Sequence, residues 1–486
     1  MTRNALLFVV ASVAVLFLWF RLVDRYAPLP VAPTSAQVVV ASAHVASPAV
    51  TEASSPAISI PVPGHRAAHR VREQTVRLDN GVLDATLSNQ GACFVSLKLK
   101  GVRSMLATGT RNSDQDLIPL SGAPRYGALS LSGTNLDGMD WTVLTPSPER
   151  SASGVSLVRF GAHVPGTSLD FVKTFTFKPG VREVGIDISI HNSGPKTQAL
   201  LSPLSLVWGP DLGGDGGGLG RVVHSGVVQL SDRVERDDAG KDQKVLDFES
   251  PRWVALKNHY FVAAYFPQKG SPWTRAELDD LGAEHMNAAL QAENLSVAPG
   301  KTVSLDARLW VGPQDYDLLK SVGDNFDSVL QFQDWSVFSW LNPLCIWLLR
   351  ILGWFYMLTG NWGVAIILLT LLVRGALFYP SMKSMVSMRH MQSKQKVLKP
   401  RLETLKKTYK DNPKKLNEET MKLYKEFGVN PLGGCLPMLV QIPIFFSLYD
   451  TLAAAYELRG AGFCWRWTDL AAGDPTYIFP IAMGVS

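Results

Sequence analysis

Between Trp362 and Tyr379 the chain reads WGVAIILLTLLVRGALFY, eighteen residues in which only Arg374 is charged. At helical rise this run covers about 27 Å, close to the thickness of a bilayer's hydrocarbon core. The fifty residues that follow, 381–430, hold thirteen Lys and Arg against five Asp and Glu. Basic residues next to a span mark its cytoplasmic end. The run therefore reads as a transmembrane helix, 360–380, with the basic stretch inside. The preceding run, Trp340 to Leu358, is also long enough to cross. If both runs crossed, the basic stretch would lie on the same side as everything before them. The tryptophans and Arg350 of that first run fit instead an amphipathic helix, 336–359, lying in the outer interface.

The rest of the chain is divided between water and bilayer. Hydrophobic residues make up 46% and charged residues 18% of 486, with a net charge of +5 concentrated in the basic stretch. Residues 24–336 carry 28 basic and 33 acidic side chains, a net −5. Four cysteines without a CxxC pair support neither a disulfide framework nor a structural zinc site, and no cofactor is implied. At the N-terminus, Ala5 to Phe20 is apolar or small and is followed by Arg21, Asp24, Arg25 and Tyr26 where a cleavage site would need small residues. Residues 1–26 read as an uncleaved signal anchor, N-terminus inside, and the Pro-, Ala- and Ser-rich 27–70 as a disordered periplasmic tether.

From 71 to 335 the pattern is that of a periplasmic β-sandwich. VGIDISIH places Val184, Ile186, Ile188 and Ile190 on one face, and CFVSLKLK places Cys93, Val95, Leu97 and Leu99 on one face. FVKTFTF and TVSLDARLWV repeat this period of two, the sign of strands with one buried side. A short helical segment, Asp315 to Phe332, leads out. GPDLGGDGGGLG, Gly209 to Gly220, lacks the Lys-Ser/Thr of a phosphate loop and reads as a flexible connection.

Inside, 381–429 reads as an antiparallel helical hairpin. Met385, Met388, Met391, Gln395, Leu398, Leu402, Leu405 and Tyr409 trace one stripe. The breaker Asp411 to Pro413 separates it from a second: Leu416, Thr420, Leu423, Tyr424 and Phe427. Pro400 is expected to kink the first arm. A second span, 430–457, contains Pro437 and Pro443, so it should pack against other helices. A periplasmic loop, 458–475, follows, and 476–486 reads as the start of a span in which the sequence stops, with further C-terminal helices missing.

NWGVAIILLTLLVRGALFYP, the Met- and Lys-rich hairpin ending in LYKEFGVNPLGGCLPMLVQIPIFFSLY, and ELR closely resemble the YidC family of bacterial membrane protein insertases. The resemblance covers about Asn361 to Ser486, and the anchor, tether and β-domain follow the Gram-negative arrangement. It implies a multipass α-helical membrane protein with a large periplasmic β-supersandwich and a cytoplasmic antiparallel helical hairpin. It also implies five core helices around a hydrophilic groove open to cytoplasm and lipid, of which two and the start of a third are present. The place is the bacterial inner membrane. The implied partners are nascent membrane proteins, the Sec translocon and its accessory subunits, a ribosome or targeting factor, and anionic lipid.

Arg374 lies six residues before Pro380, about 9 Å at helical rise. Spacing alone leaves two readings open, snorkelling to the inner interface or a charge kept in a wet groove. The resemblance matches Arg374 to the family's groove arginine. Thr370 shares its helical face, and Gln441 in the next span is a weaker groove candidate. Met385, Met388, Met391, Lys394, Lys396, Lys399 and Arg401 are the hairpin's candidate contacts, for substrate segments, ribosomal RNA, a targeting factor or lipid. The expected protein is no enzyme. A channel or secondary transporter would show several membrane acids, and Asp450 stands alone within a span. A sugar-active β-domain would need His191 or His259 paired with a carboxylate, and no spacing supplies one.

Overall fold

A computed structural model describes most of residues 72–474. Residues 1–71 lie outside the description, as do several connections, among them 104–113, 119–129, 133–140, 214–223, 331–339 and 428–435, and nearly all of 475–486. The anchor and tether expected before residue 71 and the final partial span therefore lie outside the described residues. The chain divides into two units, one containing 384–441 and the other 66–383 together with 442–486.

In the larger unit, β-structure runs from Thr75 to Pro313. A ten-stranded antiparallel sheet has the strand Thr302–Pro313 at its centre, paired with Glu183–Asn192 on one side and Phe261–Pro267 on the other. A four-stranded and a five-stranded sheet complete the sandwich. One continuous core takes Phe171, Phe175, Ile186 and Leu309 from the large sheet, Leu83 and Leu97 from the four-stranded sheet, and Leu206, Leu278 and Leu290 from the five-stranded one. Val184, Ile186, Ile188 and Ile190 all point into it, as the period of two requires.

The strand Cys93–Arg103 departs from simple alternation. A bulge where it faces Thr86 and Leu87 shifts the register by one residue. Phe94 rather than Val95 joins Leu97 and Leu99 inside, and its ring meets Phe175 at 5.4 Å. The strands Trp253–Lys257 and Phe261–Pro267 are buried on both sides because the outer face of the large sheet is also covered. There Trp253, Phe266 and Trp310 surround Phe326, which follows helix α1 (Tyr316–Val322). Helix α1 is capped by Asp315, whose carboxylate accepts from Leu318 N at 3.0 Å. Gly323 ends it at φ +84°, so the helical segment expected over 315–332 is two short pieces.

Four longer helices follow: α2 (Asn342–Thr359), α3 (Trp362–Thr408), α4 (Pro413–Glu426) and α5 (Leu436–Ala454). Helix α3 is continuous through Pro380 and Pro400, and α5 contains Pro443. Within the smaller unit, the later part of α3 packs against α4 through Leu398 and Leu423, flanked by Leu402, Leu405, Tyr424 and Phe427.

One inward position of the β-domain breaks the apolar rule. Leu169, Phe171, Phe175 and Phe177 share the buried face of their strand with Lys173, which is fully buried with its Nζ 5.2 Å from the Phe175 ring centre. Burial pushes the Lys173 ammonium down to about 7 and the neighbouring Cys93 thiol up to about 11. Between pH 7 and 9 the unfolded chain binds the lysine proton more tightly than the folded one does, so stability rises with pH. Lys173→Met is expected to flatten this rise and to leave the domain at least as stable at pH 7. Urea midpoints from tryptophan fluorescence at pH 7 and 9 measure it; an unchanged pH slope in the variant would refute the assignment.

Candidate functional site

The candidate site is built on helix α3, and its start is fixed by a short turn. Gly360 closes α2 at φ +66° and donates to the Tyr356 carbonyl, and Asn361 then caps α3. The Asn361 Oδ1 accepts from Gly363 N at 2.9 Å and Val364 N at 3.2 Å. Its Nδ2 donates to the Phe463 carbonyl at 2.9 Å, tying the helix start to the connection after α5. Tyr356 stacks on Trp362 at 4.1 Å across the same turn. Gly363 allows this approach: a Cβ there would stand 2.1 Å from the Phe463 ring.

Trp362–Tyr379 is long and apolar enough to cross a membrane, with a mean hydropathy of 1.9. Ala365 and Leu369 face Leu348 and Leu352 of α2, with Leu448 and Leu452 of α5 packed against them. Thr451 Oγ1 donates to the Cys345 carbonyl at 3.3 Å, joining α5 to α2. Helix α2 is two-faced: Cys345, Leu348 and Leu352 are buried, whereas Trp347, Trp354, Met357 and Leu358 are exposed. Its one charge, Arg350, stacks on the Tyr316 ring at 5.3 Å and donates to the Tyr316 hydroxyl at 3.4 Å.

Thr370 and Arg374 occupy one face of α3, one turn apart, and both are exposed. Thr370 Oγ1 donates back to the Ile366 carbonyl at 2.8 Å. Among the described residues Arg374 has no ion-pair or hydrogen-bond partner. Leu371, Leu372 and Phe378 around it are exposed as well. Gln441, on α5, is exposed and belongs to the smaller unit.

Of the contacts expected on the basic helices, Met385 is exposed. Lys394 Nζ donates to the Phe427 carbonyl at 2.6 Å, and Arg401 lies 5.3 Å from the Phe427 ring centre and 3.6 Å from Glu426. Lys399 is exposed; the side chains of Met388, Met391 and Lys396 lie outside the described residues. Lys394 and Arg401 thus help hold the two helices together, a role their spacing did not single out.

The sugar-site histidines are engaged elsewhere. His191 Nδ1 lies 3.1 Å from Thr302 Oγ1, and His259 Nε2 donates to the Ala453 carbonyl at 2.7 Å. A cavity of about 250 Å³ on the outer face of the large sheet is lined by Asp187, Asp306, Arg308, Glu183, Lys178 and Gln268, without either histidine. Asp187 and Asp306 face each other across strands, and their mutual hydrogen bond together with burial pushes Asp306 up to about 6. Within the glycine-rich segment, Asp211 is buried against His224 at 3.4 Å and also bonds His285, a grouping that no sequence spacing suggested.

Residues 75–348 match the family model of the YidC periplasmic domain, and residues 354–486 that of the 60Kd inner membrane protein. The chain belongs to the YidC family. A protein of Bordetella avium named membrane protein insertase YidC is 34% identical, covering 87% of this chain and 74% of the relative. One of the same name from Syntrophus aciditrophicus is 32% identical over 100% of this chain and 89% of its own. Among solved structures, a putative aldose 1-epimerase of Escherichia coli covers 50% of this chain and 100% of its own at a TM-score of 0.32 and 9% identity. The two family models meet within α2, between residues 348 and 354, and Asn361 fixes the turn that follows that helix. Asn361→Ala is expected to cost about 1–2 kcal/mol through the lost cap and the orphaned Phe463 carbonyl. Thermal unfolding in detergent, with proteolysis of the 455–475 connection as a local readout, checks it; unchanged behaviour in both would remove Asn361 from this role.

Proposed function

We propose that this chain is a membrane protein insertase and assembly chaperone of the bacterial inner membrane, with Arg374 as the fixed charge of its substrate groove. The observation that carries the reading is an exposed guanidinium, without a partner among the described residues, well inside the C-terminal half of a membrane-length apolar helix in a YidC-family chain. At a span's centre an arginine costs about 3 kcal/mol on insertion scales unless water or a counter-charge reaches it, and part of that cost remains at the depth of Arg374. A groove that admits water removes that cost. It also offers the polar or acidic outer end of an incoming segment a transient stop, lowering its own desolvation cost.

The apolar part of the segment meanwhile leaves sideways into lipid. Burial of its surface, at about 25 cal/mol per Å², and the membrane potential acting on acidic residues supply direction without nucleotide hydrolysis. Thr370 hydrates the same face, and Gln441 contributes from the second span. In this reading the smaller unit's two helices are the cytoplasmic hairpin. Met385, Met388 and Met391 meet substrate segments, while Lys394, Lys396, Lys399 and Arg401 meet anionic lipid and a ribosome or targeting factor. The exposed tryptophans of α2 anchor it in the outer interface, and the β-domain is periplasmic. The protein acts alone or with the Sec translocon and its accessory subunits.

The test is reconstitution of a full-length form into liposomes free of translocon, with a single-span substrate bearing a short acidic outer tail. Protease protection of the tail is expected in the wild type, to fall about tenfold in Arg374→Ala, and to be partly kept in Arg374→Lys, since the charge is what acts. Equal protection in wild type and alanine variant would return Arg374 to snorkelling. Absence of protection in all forms, with a working control, would favour a chaperone that depends on the translocon.

A further inference from the structure

Two cations on different elements meet at one tyrosine, and the insertase reading gives neither a task. Tyr316 opens helix α1 and is buried. Lys320, one turn later on that helix, holds its Nζ 5.7 Å from the Tyr316 ring centre, and Arg350 of α2 holds its guanidinium 5.3 Å from the same centre. Both cations are exposed. Arg350 donates from Nη2 to the Tyr316 hydroxyl at 3.4 Å, and among the described residues its remaining donors have no acceptor. Neither cation has an ion pair among the described residues. The acids around α1 are placed otherwise: Asp315 caps the helix, Asp317 pairs with neither cation, and Asp324 lies 3.5 Å from Arg308. An ammonium and a guanidinium gathered at one ring without a counter-charge repel each other. An anion between them turns that repulsion into two attractions.

The surroundings of Arg350 identify the anion. Trp347 stands one turn before it and Trp354 one turn after, both exposed on the same side of α2, while Cys345, Leu348 and Leu352 are buried on the other. Exposed tryptophans on an interfacial helix settle at headgroup level, the depth at which a bilayer carries its phosphates. We propose that Arg350 and Lys320 clamp the phosphate of an anionic phospholipid in the outer leaflet, with the Tyr316 ring between them and Trp347 and Trp354 setting the depth. The clamp rests on the reading of α2 as an outer-interface helix. It concerns the opposite leaflet, and other residues, from the lipid contact of the basic helices.

The two cations divide the work by their chemistry. The guanidinium presents paired N–H groups to phosphate oxygens, and the ammonium acts as a point charge beside them. A zwitterionic lipid carries the same phosphate, but its own ammonium repels Arg350 and Lys320, so an anionic headgroup is preferred. Because Lys320 lies on α1 and Arg350 on α2, one bound lipid joins the helix that follows the β-sandwich to the helix in the interface. The hold of one on the other then depends on the charge of the leaflet.

Hydrogen exchange of the α1 backbone, 318–323, tests it in the full chain, in nanodiscs of phosphatidylglycerol and of phosphatidylcholine. Exchange is expected to be about fivefold slower in phosphatidylglycerol. Lys320→Gln and Arg350→Gln should each remove most of that difference, whatever they do to exchange in either lipid, and Arg350→Lys should keep part of it. Lys196→Gln, an exposed cation elsewhere on the domain, should leave it unchanged, and exchange at 184–190 shows that the β-domain stays folded. Equal exchange in the two lipids, or a difference that survives Lys320→Gln and Arg350→Gln, overturns the clamp. Inorganic phosphate that slows exchange as much in phosphatidylcholine discs would show an ion site in place of a lipid site, and overturns it too. The side of the membrane is read separately, by labelling Lys320→Cys in intact spheroplasts with a maleimide that cannot cross the membrane. Labelling above the wild-type background sustains the outer placement even where the clamp fails; labelling only after lysis removes that placement, and the clamp with it.

Discussion

Around the apolar helices, three backbone carbonyls accept donors from side chains of other elements. The chain supplies them from side chains distant in sequence: Asn361 to Phe463, Thr451 to Cys345, and His259 to Ala453. Each bond joins two elements that would otherwise meet only through apolar contact. Dispersion between leucines does not distinguish one register from its neighbour, whereas a buried carbonyl accepts a donor only at one register and is costly unpaired. These polar contacts add to the leucine packing of α2, α3 and α5 a preference for one register.

The β-domain is suited to be the fixed partner in that arrangement. Its large sheet is covered on both faces, by the smaller sheets on one side and by the Trp253, Phe266 and Phe326 group on part of the other. The strands that carry His259, Tyr260 and Phe261 at their edge are therefore buried on both sides. A platform packed in this way does not yield to a helix that leans on it, because interiors at crystal-like density transmit displacement rather than absorb it.

Much of this was legible in the sequence where one period dominated. Val184 to Ile190 could only be a half-buried strand, Trp362 to Tyr379 could only be a membrane-length helix, and the basic excess after Tyr379 suggested its direction. Local rules failed where an event was non-local. The bulge opposite Thr86 and Leu87 exchanged Val95 for Phe94 in the core, and nothing within Cys93–Arg103 announces it. Lys173 was visible at an inward position of FVKTFTF, yet its burial depends on the Cys93 strand 80 residues earlier. Asp211 with His224 and His285, and Arg459 with Gln115 344 residues away, are assembled by the fold alone. In sequence Arg459 is an ordinary loop charge, and only the matched ELR hinted that it mattered.

Arg374 differs from the other described arginines near the apolar helices in its surroundings. Arg350, in the equally apolar α2, stacks on Tyr316 and bonds its hydroxyl. Arg459, just beyond α5, has two aromatic rings and a buried amide. In each case delocalised charge is matched by a π-face and a hydrogen-bond acceptor, the arrangement that makes a partly buried guanidinium tolerable. Within the described residues Arg374 has neither, although Phe378 stands one turn away on the same helix. Among the described residues two arginines thus have aromatic partners and Arg374 has none; under the proposed function, water or a polar group passing through would satisfy it.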